Sequence, residues 1–162
     1  FKLYGFSTAC VACHMYLHAA RVPFARETGA GAIVSGERLS HDGRLKLNQL
    51  EPALRAYGKV IAYNGIELDL PLADVKEGRQ VEEVLGEGWK ESARQLGCVL
   101  EGNYRDLDGN IIARDDDLVN YIDEFLVPFT DEVLSSFAAG STPDYTAVVK
   151  KVISGIIERR GN

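Results

Sequence analysis

Apolar residues recur at two different spacings in the first third of the chain, and they predict a helix followed by a strand. The apolar positions of the helical pattern are Val11, Met15, Ala19 and Val22. Because Pro23 lacks a backbone donor, we expect this helix to kink or end near Val22. The continuous apolar run at 32–35 is typical of a strand buried on both faces. Residues 36–38 would then lie at the carboxyl end of a strand, where open α/β sheets bind ligands.

A second helix and a second strand are expected next. Residues 45–57 carry apolar side chains at mostly helical spacing, and alternation of apolar with acidic residues then predicts a strand with one solvated face. The apolar members of that strand are Ile66, Leu68 and Leu70. Helical patterns at 75–85 and 89–96 follow. They lead to a glycine-flanked loop, 97–103, which carries Cys98.

The last third of the chain predicts two helices packed as a hairpin. The first has an apolar stripe along one face, which we expect Pro128 to kink. The stripe consists of Leu118, Ile122, Phe125, Phe129, Val133 and Phe137. The acidic run at 115–117 suits the positive end of this helix dipole, and Thr142 with Pro143 suits the start of the last helix. We expect this hairpin to act as scaffold or as an oligomer contact, for example in a homodimer.

These patterns predict an α/β fold, with part of a parallel sheet surrounded by helices and a C-terminal helical hairpin. Residues 1–112 would form the α/β domain that holds the functional site, and residues 113–162 a helical extension. With 162 residues, 46% of them hydrophobic, the chain is long enough to bury its own core. It has no apolar stretch of membrane-spanning length and no export signal, so we expect a cytoplasmic protein without a membrane partner.

Charge limits the classes of partner. The net charge is −6 and the isoelectric point is about 5.1. Sequence-independent binding of nucleic acid depends on Lys and Arg side chains that displace counterions from phosphates, so an acidic chain opposes it. The chain starts at Phe1 rather than at a methionine, and we expect it to begin partway through a larger protein.

The chemistry-bearing residues are three cysteines. Cys10 and Cys13 form a Cys-x-x-Cys pair, and Cys98 is the third. Because three cysteines cannot all pair as disulfides, the count favours a reduced, intracellular site. Residues three apart in the first turn of a helix lie on one side of it, so the pair can bind a single metal centre. Thiolates favour zinc or iron–sulfur over magnesium or calcium.

Four kinds of site remain open from the residues alone. A zinc site needs a fourth ligand. The candidates are His14, His18 and His41. A thioredoxin-like redox pair leaves Cys98 without a role, and c-type haem attachment through Cys10, Cys13 and His14 requires export. The fourth kind is an iron–sulfur cluster held by three cysteines, with one iron left open to a substrate or to sulfide.

The order of motifs over about residues 8–103 resembles the second half of PP-loop ATP pyrophosphatases. The matching elements are the cysteine pair, the strand end at 35–37, the Leu70-Pro71-Leu72 stretch and the later cysteine in Gly97-Cys98-Val99. The similarity is greatest to the sulfur-inserting tRNA thiolation enzymes and the 4-thiouridine synthetases. It implies an adenine-nucleotide-hydrolase-like sheet, of which this chain holds a part.

The resemblance also implies a set of ligands and partners. Cys10, Cys13 and Cys98 would bind a [4Fe–4S] cluster, and Ser35, Gly36 and Glu37 would lie beside ATP and its magnesium. The family's Ser-Gly-Gly-x-Asp-Ser loop, which cradles the pyrophosphate, is not in this sequence. We expect it to come from a missing N-terminal segment or from a second chain. The substrate would be tRNA or a small thiolated or thiol-accepting molecule.

Other polar residues are candidates for substrate contact. His41 and Asp42 follow the first strand and are candidates for acid–base catalysis. Arg38, Arg44 and Lys46 are candidates for phosphate binding. The residues after Cys98 would line the same cavity as the thiols; they are Glu101, Asn103, Tyr104 and Arg105. The sequence thus favours an ATP-dependent sulfur-transfer enzyme, and the alternative is a zinc-stabilised binding or regulatory domain without catalysis.

Overall fold

The computed structural model describes residues 3–85 and 98–161, which form a mixed α/β fold. In chain order the elements are α1 Ala9–Ala19, α2 Val22–Thr28, β1 Ala32–Val34, a 3-10 turn Leu47–Gln49, α3 Glu51–Tyr63, β2 Glu67–Asp69, α4 Gly78–Leu85, α5 Asp115–Tyr121, a π-helical turn Ile122–Leu126, α6 Val127–Ala138 and α7 Tyr145–Arg160. The helix predicted at 89–96 lies outside the described residues.

The helical pattern that carries the cysteine pair is divided between two helices. α1 ends at Ala19, and α2 begins at Val22, so the chain does break near the expected position. The role of Pro23 differs from the prediction. It stands in the first turn of α2, where its missing N–H costs no intrahelical hydrogen bond, so it begins the second helix rather than ending the first. α2 continues to Gly29, which closes it in the left-handed conformation with φ 70°.

The two strands form a parallel pair, as the sequence predicted. Ile33 of β1 is opposite Leu68 of β2, and α3 packs against β2 as part of the crossover between the strands. Ile33 is buried, but Val34 on the other face of β1 is 67% exposed. Within the part of the chain that the structure describes, the predicted burial of β1 on both faces is wrong, because helices cover one face.

The hydrophobic core joins the first helices to the C-terminal ones. Met15 of α1, Tyr57 of α3 and Leu118 of α5 are all fully buried in the same apolar cluster. α5 begins at Asp115, so the acidic run does stand in a first helical turn. The predicted domain boundary at residue 112 stays a prediction, although side chains from both sides of it share this core.

The C-terminal helices pack as the predicted hairpin. Helices α6 and α7 contact each other, and Lys151 Nζ lies 2.6 Å from Glu132 Oε1 between them. Ahead of Pro128 the chain forms the π-helical turn, a wider turn that commonly accompanies a local break in helix geometry. α7 is capped by Asp144, which accepts from Ala147 N at 3.0 Å, and not by Thr142 as predicted. Over residues 3–85 and 98–161, no helix is both long and apolar enough to cross a membrane.

Candidate functional site

The thiol of Cys10 lies against the loop that begins with Cys98. Cys10 Sγ donates to Asn103 Oδ1 at 3.5 Å and to the carbonyl oxygen of Leu100 at 3.7 Å. Cys98 Sγ in turn accepts from Leu100 N at 3.4 Å. The structure therefore brings the first turn of α1 and the 98–103 loop together, although 93 positions separate Cys10 from Asn103.

The electrostatics of Cys10 reflect this arrangement. Burial raises the pKa of the Cys10 thiol, and the negative charges of Cys98, Cys13 and Glu101 raise it further. Cys10 is half-buried, whereas Cys13 and Cys98 are exposed. A cationic ligand would remove the repulsion between the thiolates, because its positive charge favours their deprotonated forms.

The thiols are neighbours, but they do not form a closed ligand set. Across the described ranges, no three His, Cys, Asp or Glu side chains are gathered closely enough to hold a metal ion. Their donor chemistry nevertheless suits a soft metal, because three thiols are available at one end of α1. The cysteine side chains would have to turn toward a common centre on binding.

Glu37 is the centre of a buried polar network that contacts the helix of the thiol pair. Its Oε1 accepts from His14 Nδ1 at 2.6 Å and lies 3.5 Å from His18 Nε2. Its Oε2 accepts from Gln49 Nε2. The network joins the end of β1 to the cysteine helix and to the 3-10 turn, so a single carboxylate fixes three parts of the chain.

The network continues from Gln49 to the loop after β1. His41 Nε2 donates to Gln49 Oε1, and Arg38 donates to His41 Nδ1 at 3.0 Å. This pattern assigns the imidazole proton of His41 to Nε2. Arg38 and Gln49 are both buried. His41, a predicted acid–base residue, is thus held through Gln49 by the same carboxylate that holds His14.

Ionised Glu37 is stabilised by these contacts. Burial alone would raise the pKa of Glu37, but hydrogen bonds from His14, His18 and Gln49, together with the charge of His14, hold it far below its ordinary value. Carboxylates that accept several hydrogen bonds commonly behave in this way. Glu37 is therefore a buried anion whose neighbours are imidazole and amide donors.

Three further predicted site residues lie around this network. Ser35 N donates to Asp69 O at 2.9 Å and extends the sheet pairing, while Gly36 is exposed at the strand end. Asp42 is exposed and adopts φ 52°, and its Oδ1 accepts from Gly78 N at 2.9 Å at the start of α4. Asp42 thus caps a helix. The nucleotide contacts predicted for Ser35, Gly36 and Glu37, and the acid–base roles predicted for His41 and Asp42, stay predictions.

A comparison with known proteins finds a longer archaeal relative. The chain is 39% identical over 153 residues to the uncharacterized protein MJ0009 of Methanocaldococcus jannaschii. That match covers 94% of this chain and 55% of the archaeal protein, so the chain spans about half the length of this relative. No family model matches the chain, and no solved structure matches it.

Sequence reasoning identified the thiols but missed Gln49, which links the two halves of the network. A single glutamine in a leucine-rich stretch has the pattern of a solvated helix face, and nothing local distinguishes it from one. Asn103 was expected near the thiols because it follows Cys98 closely, and it does contact Cys10. Tyr104, expected in the same cavity, is instead a core residue at 3% exposure.

Chemically, the site combines soft donors with an oriented imidazole. Because Glu37 accepts from His14 Nδ1, the neutral imidazole has its lone pair at Nε2. His14 follows Cys13 directly in α1, and its side chain is 30% exposed. The arrangement offers thiolates for a metal or for sulfur, and an imidazole of fixed orientation in the same helix.

Proposed function

We propose that this chain supplies the thiol side of a sulfur-transfer enzyme of the PP-loop ATP pyrophosphatase type, acting in thiolation or desulfuration. The proposed reaction joins the adenylate of ATP to a carbonyl oxygen of the substrate and releases pyrophosphate. For thiolation, sulfide then attacks the activated carbon, the bond from that carbon to the adenylated oxygen breaks, and AMP leaves with the oxygen. The substrate is a tRNA or a small thiolated or thiol-accepting molecule, and the nucleotide loop comes from an N-terminal segment or from a second chain.

The observation that carries this proposal is the contact between Cys10 and the loop of Cys98. Two segments far apart in sequence meet at their cysteine-bearing ends, with Cys10 Sγ 3.5 Å from Asn103 Oδ1. A cysteine that only packs as a small apolar side chain does not require two other cysteines close to it. Convergence of all three thiols is what a shared centre requires.

The proposed roles of the residues come from the family resemblance and are supported by the contacts around Cys10 and Glu37. Cys10, Cys13 and Cys98 would hold a [4Fe–4S] cluster, which when bound supplies an iron on which sulfur is carried. Asn103 would accept a hydrogen bond from the Cys10 thiol until the cluster binds. Glu37 fixes the orientation of His14, which directly follows Cys13 in α1.

The second candidate function is a zinc-stabilised binding or regulatory domain. The observation in its favour is the bond between His14 Nδ1 and Glu37 Oε1 at 2.6 Å. Histidines that bind zinc commonly donate their other ring nitrogen to a carboxylate in this way, so His14 is the candidate for a fourth ligand beside the three thiolates.

Metal analysis of the anaerobically purified chain separates the two functions. The sulfur-transfer proposal expects brown protein that contains iron and acid-labile sulfide. It also expects Cys98→Ala to lose both while the melting temperature changes little, because Cys98 is exposed. The zinc alternative expects colourless protein with zinc, and a sharp fall in melting temperature for the same variant because zinc binding contributes to folding.

The matched control is Ser154→Ala, an exposed substitution on α7 that should leave metal content and stability unchanged. Sulfur transfer is then measured with the complete enzyme. If Cys98→Ala keeps its full metal content and activity, neither function describes the site.

A further inference from the structure

A groove of about 570 Å³ lies between the loop after β1 and the segment that follows Cys98. Its lining residues are Gly43, Arg44, Leu45, Arg105, Gly109, Asn110 and Ile111. Two short backbone pairings shape its walls, one between His41 and Arg44 and the other between Arg105 and Ile111. Volumes of a few hundred Å³ are typical of small-molecule sites.

The groove is positively charged in an otherwise acidic chain. Its described lining residues include two arginines and no acidic residue, whereas the whole chain has a net charge of −6. Among the residues described, no carboxylate pairs with Arg44 or with Arg105. Two guanidinium groups without a carboxylate partner beside one cavity favour an anion there.

Arg105 is held in place before any ligand binds. Its guanidinium donates to the carbonyl oxygen of Gly109 at 2.5 Å and to that of Leu45, and it lies over the ring of Tyr104, 5.3 Å from the centroid. A guanidinium has five N–H groups, so donors remain for a ligand. Because the orientation of Arg105 is already fixed, binding costs less side-chain entropy.

The groove wall also allows close approach of a ligand to the backbone. Gly43 and Gly109 have φ values of 82° and 85°, and a Cβ placed on either would meet no atom within 4 Å. Leu45 is 49% exposed and, with Ile111, provides an apolar side to the groove. The lining therefore suits a ligand that combines an anionic group with a less polar body.

Both walls of the groove belong to segments that also contribute to the candidate site. Arg105 belongs to the same segment as Asn103, which contacts Cys10. Arg44 exchanges backbone hydrogen bonds with His41 at 2.9 and 3.0 Å, and His41 is linked through Gln49 to Glu37. A ligand held by the two arginines would thus lie beside the segments that carry the candidate chemistry.

We propose that this groove binds a phosphate group of the substrate through Arg44 and Arg105. The inference rests on the proposed function in one respect, that the ligand is the molecule acted on at the thiol site. Arg105 is the fixed donor and Arg44 the second cation, while Leu45 and Ile111 contact the group attached to the phosphate. A mononucleotide and a nucleotide unit within RNA share this chemistry.

Calorimetric titration of the full chain tests the groove. The ligands are inorganic phosphate, uridine 5′-monophosphate, uridine and a short single-stranded RNA. We expect the monophosphate to bind more tightly than uridine. We expect Arg44→Gln to raise the dissociation constant of the monophosphate about tenfold or more, because the substitution removes a charge and the hydrogen bonds that the guanidinium donates to the phosphate. The control is Arg55→Gln, an exposed arginine on α3 that pairs only weakly with Glu51 at 3.7 Å.

Each result of the titration supports or overturns the phosphate site. If RNA binds more tightly than the monophosphate and Arg44→Gln weakens that binding, the site is supported. The phosphate it binds would then belong to a polynucleotide. Equal binding of uridine and the monophosphate, equal effects of Arg44→Gln and Arg55→Gln, or no binding at millimolar ligand overturns it. Because Arg105 joins two loops, Arg105→Lys is a second variant, and its melting temperature shows whether the fold is retained.

Metal content distinguishes failure of the phosphate site from failure of the proposed function. Iron, sulfide and zinc contents of Arg44→Gln report on the thiol site alone, and they should equal those of the unmodified chain. A variant that loses phosphate binding but keeps its metal content would show that the substitution affects the groove and not the thiol site.

Discussion

Replacing Glu37 by Ala should destabilise the chain far more than replacing an exposed carboxylate. The substitution removes the acceptor of His14 Nδ1 at 2.6 Å and of Gln49 Nε2, and it removes the anion beside His18. Glu37 is 7% exposed, so water cannot easily replace the lost acceptor. Of the donors left behind, His18 and Gln49 are buried, so their lost contacts are not easily replaced by water.

The expected loss follows from these contacts. Hydrogen bonds to charged groups contribute about 1.5–3 kcal/mol each, and breaking a buried ionic arrangement by removing one member typically costs about 3–5 kcal/mol. We therefore expect the free energy of unfolding to fall by about 3–5 kcal/mol. For a chain of this length that corresponds to a drop in melting temperature of roughly 6–20 °C.

Urea unfolding followed by circular dichroism at neutral pH measures this loss. Glu27→Ala is the control, because Glu27 is exposed on α2 and its removal should change stability by less than about 0.5 kcal/mol. Glu37→Gln keeps one acceptor oxygen and should fall between the two. A Glu37→Ala variant within about 1 kcal/mol of the unmodified chain would refute the view that this network holds the site together.

The same residue predicts a pH dependence. The pKa of Glu37 in the folded chain is far below the ordinary value of 4.5. A depressed folded-state pKa gives stability that is fully present above the unfolded-state pKa and is lost as pH falls toward the folded-state value. The stability difference between the unmodified chain and Glu37→Gln should therefore be constant above about pH 5 and shrink in more acid solution. A difference that stays constant down to acid pH would contradict an ionised Glu37. Two further substitutions test neighbouring contacts. Tyr57→Phe removes a buried hydroxyl that lies 3.2 Å from Val11 O and 3.0 Å from Asn48 O, and urea unfolding should show a loss of about 1–2 kcal/mol; no measurable loss would mean that the hydroxyl does not anchor α1. Asp42→Ala removes the acceptor of Gly78 N and disfavours φ 52°, so thermal unfolding should show a loss of about 1–2 kcal/mol, whereas Asp42→Asn should retain most of the stability. Loss of activity in Asp42→Asn at unchanged stability would instead favour a catalytic role.

The order of helices and strands was predictable because apolar periodicity is a local property. Alternation at Ile66, Leu68 and Leu70 depends only on neighbouring residues, and β2 does form there. The predicted two-sided burial of β1 depends on what covers the sheet, which no local pattern determines, and Val34 is exposed. The start of α7 was misplaced because Thr142 and Asp144 are both suitable caps, and the contact with Ala147 N selects the second.

The sequence predicted the cysteines of the candidate site, but it did not predict the buried network around Glu37. Cys10 and Cys13 are marked by their spacing, and the position of Cys98 near them could be inferred from the chemistry of thiolates. The family resemblance implied that Glu37 lies beside a nucleotide, and that contact stays a prediction. What the sequence could not predict is the contact of the Glu37 side chain with His14 of α1, which lies 23 positions away in the sequence.

The polar network also concentrates every imidazole of the chain at one place. The sequence contains three histidines, and His14, His18 and His41 all lie in contact with Glu37 or with its partner Gln49. The imidazole region of an NMR spectrum would therefore contain no signal from a remote histidine. Those resonances form a built-in probe that reports on ligand binding at the cysteines or in the arginine groove without any added label.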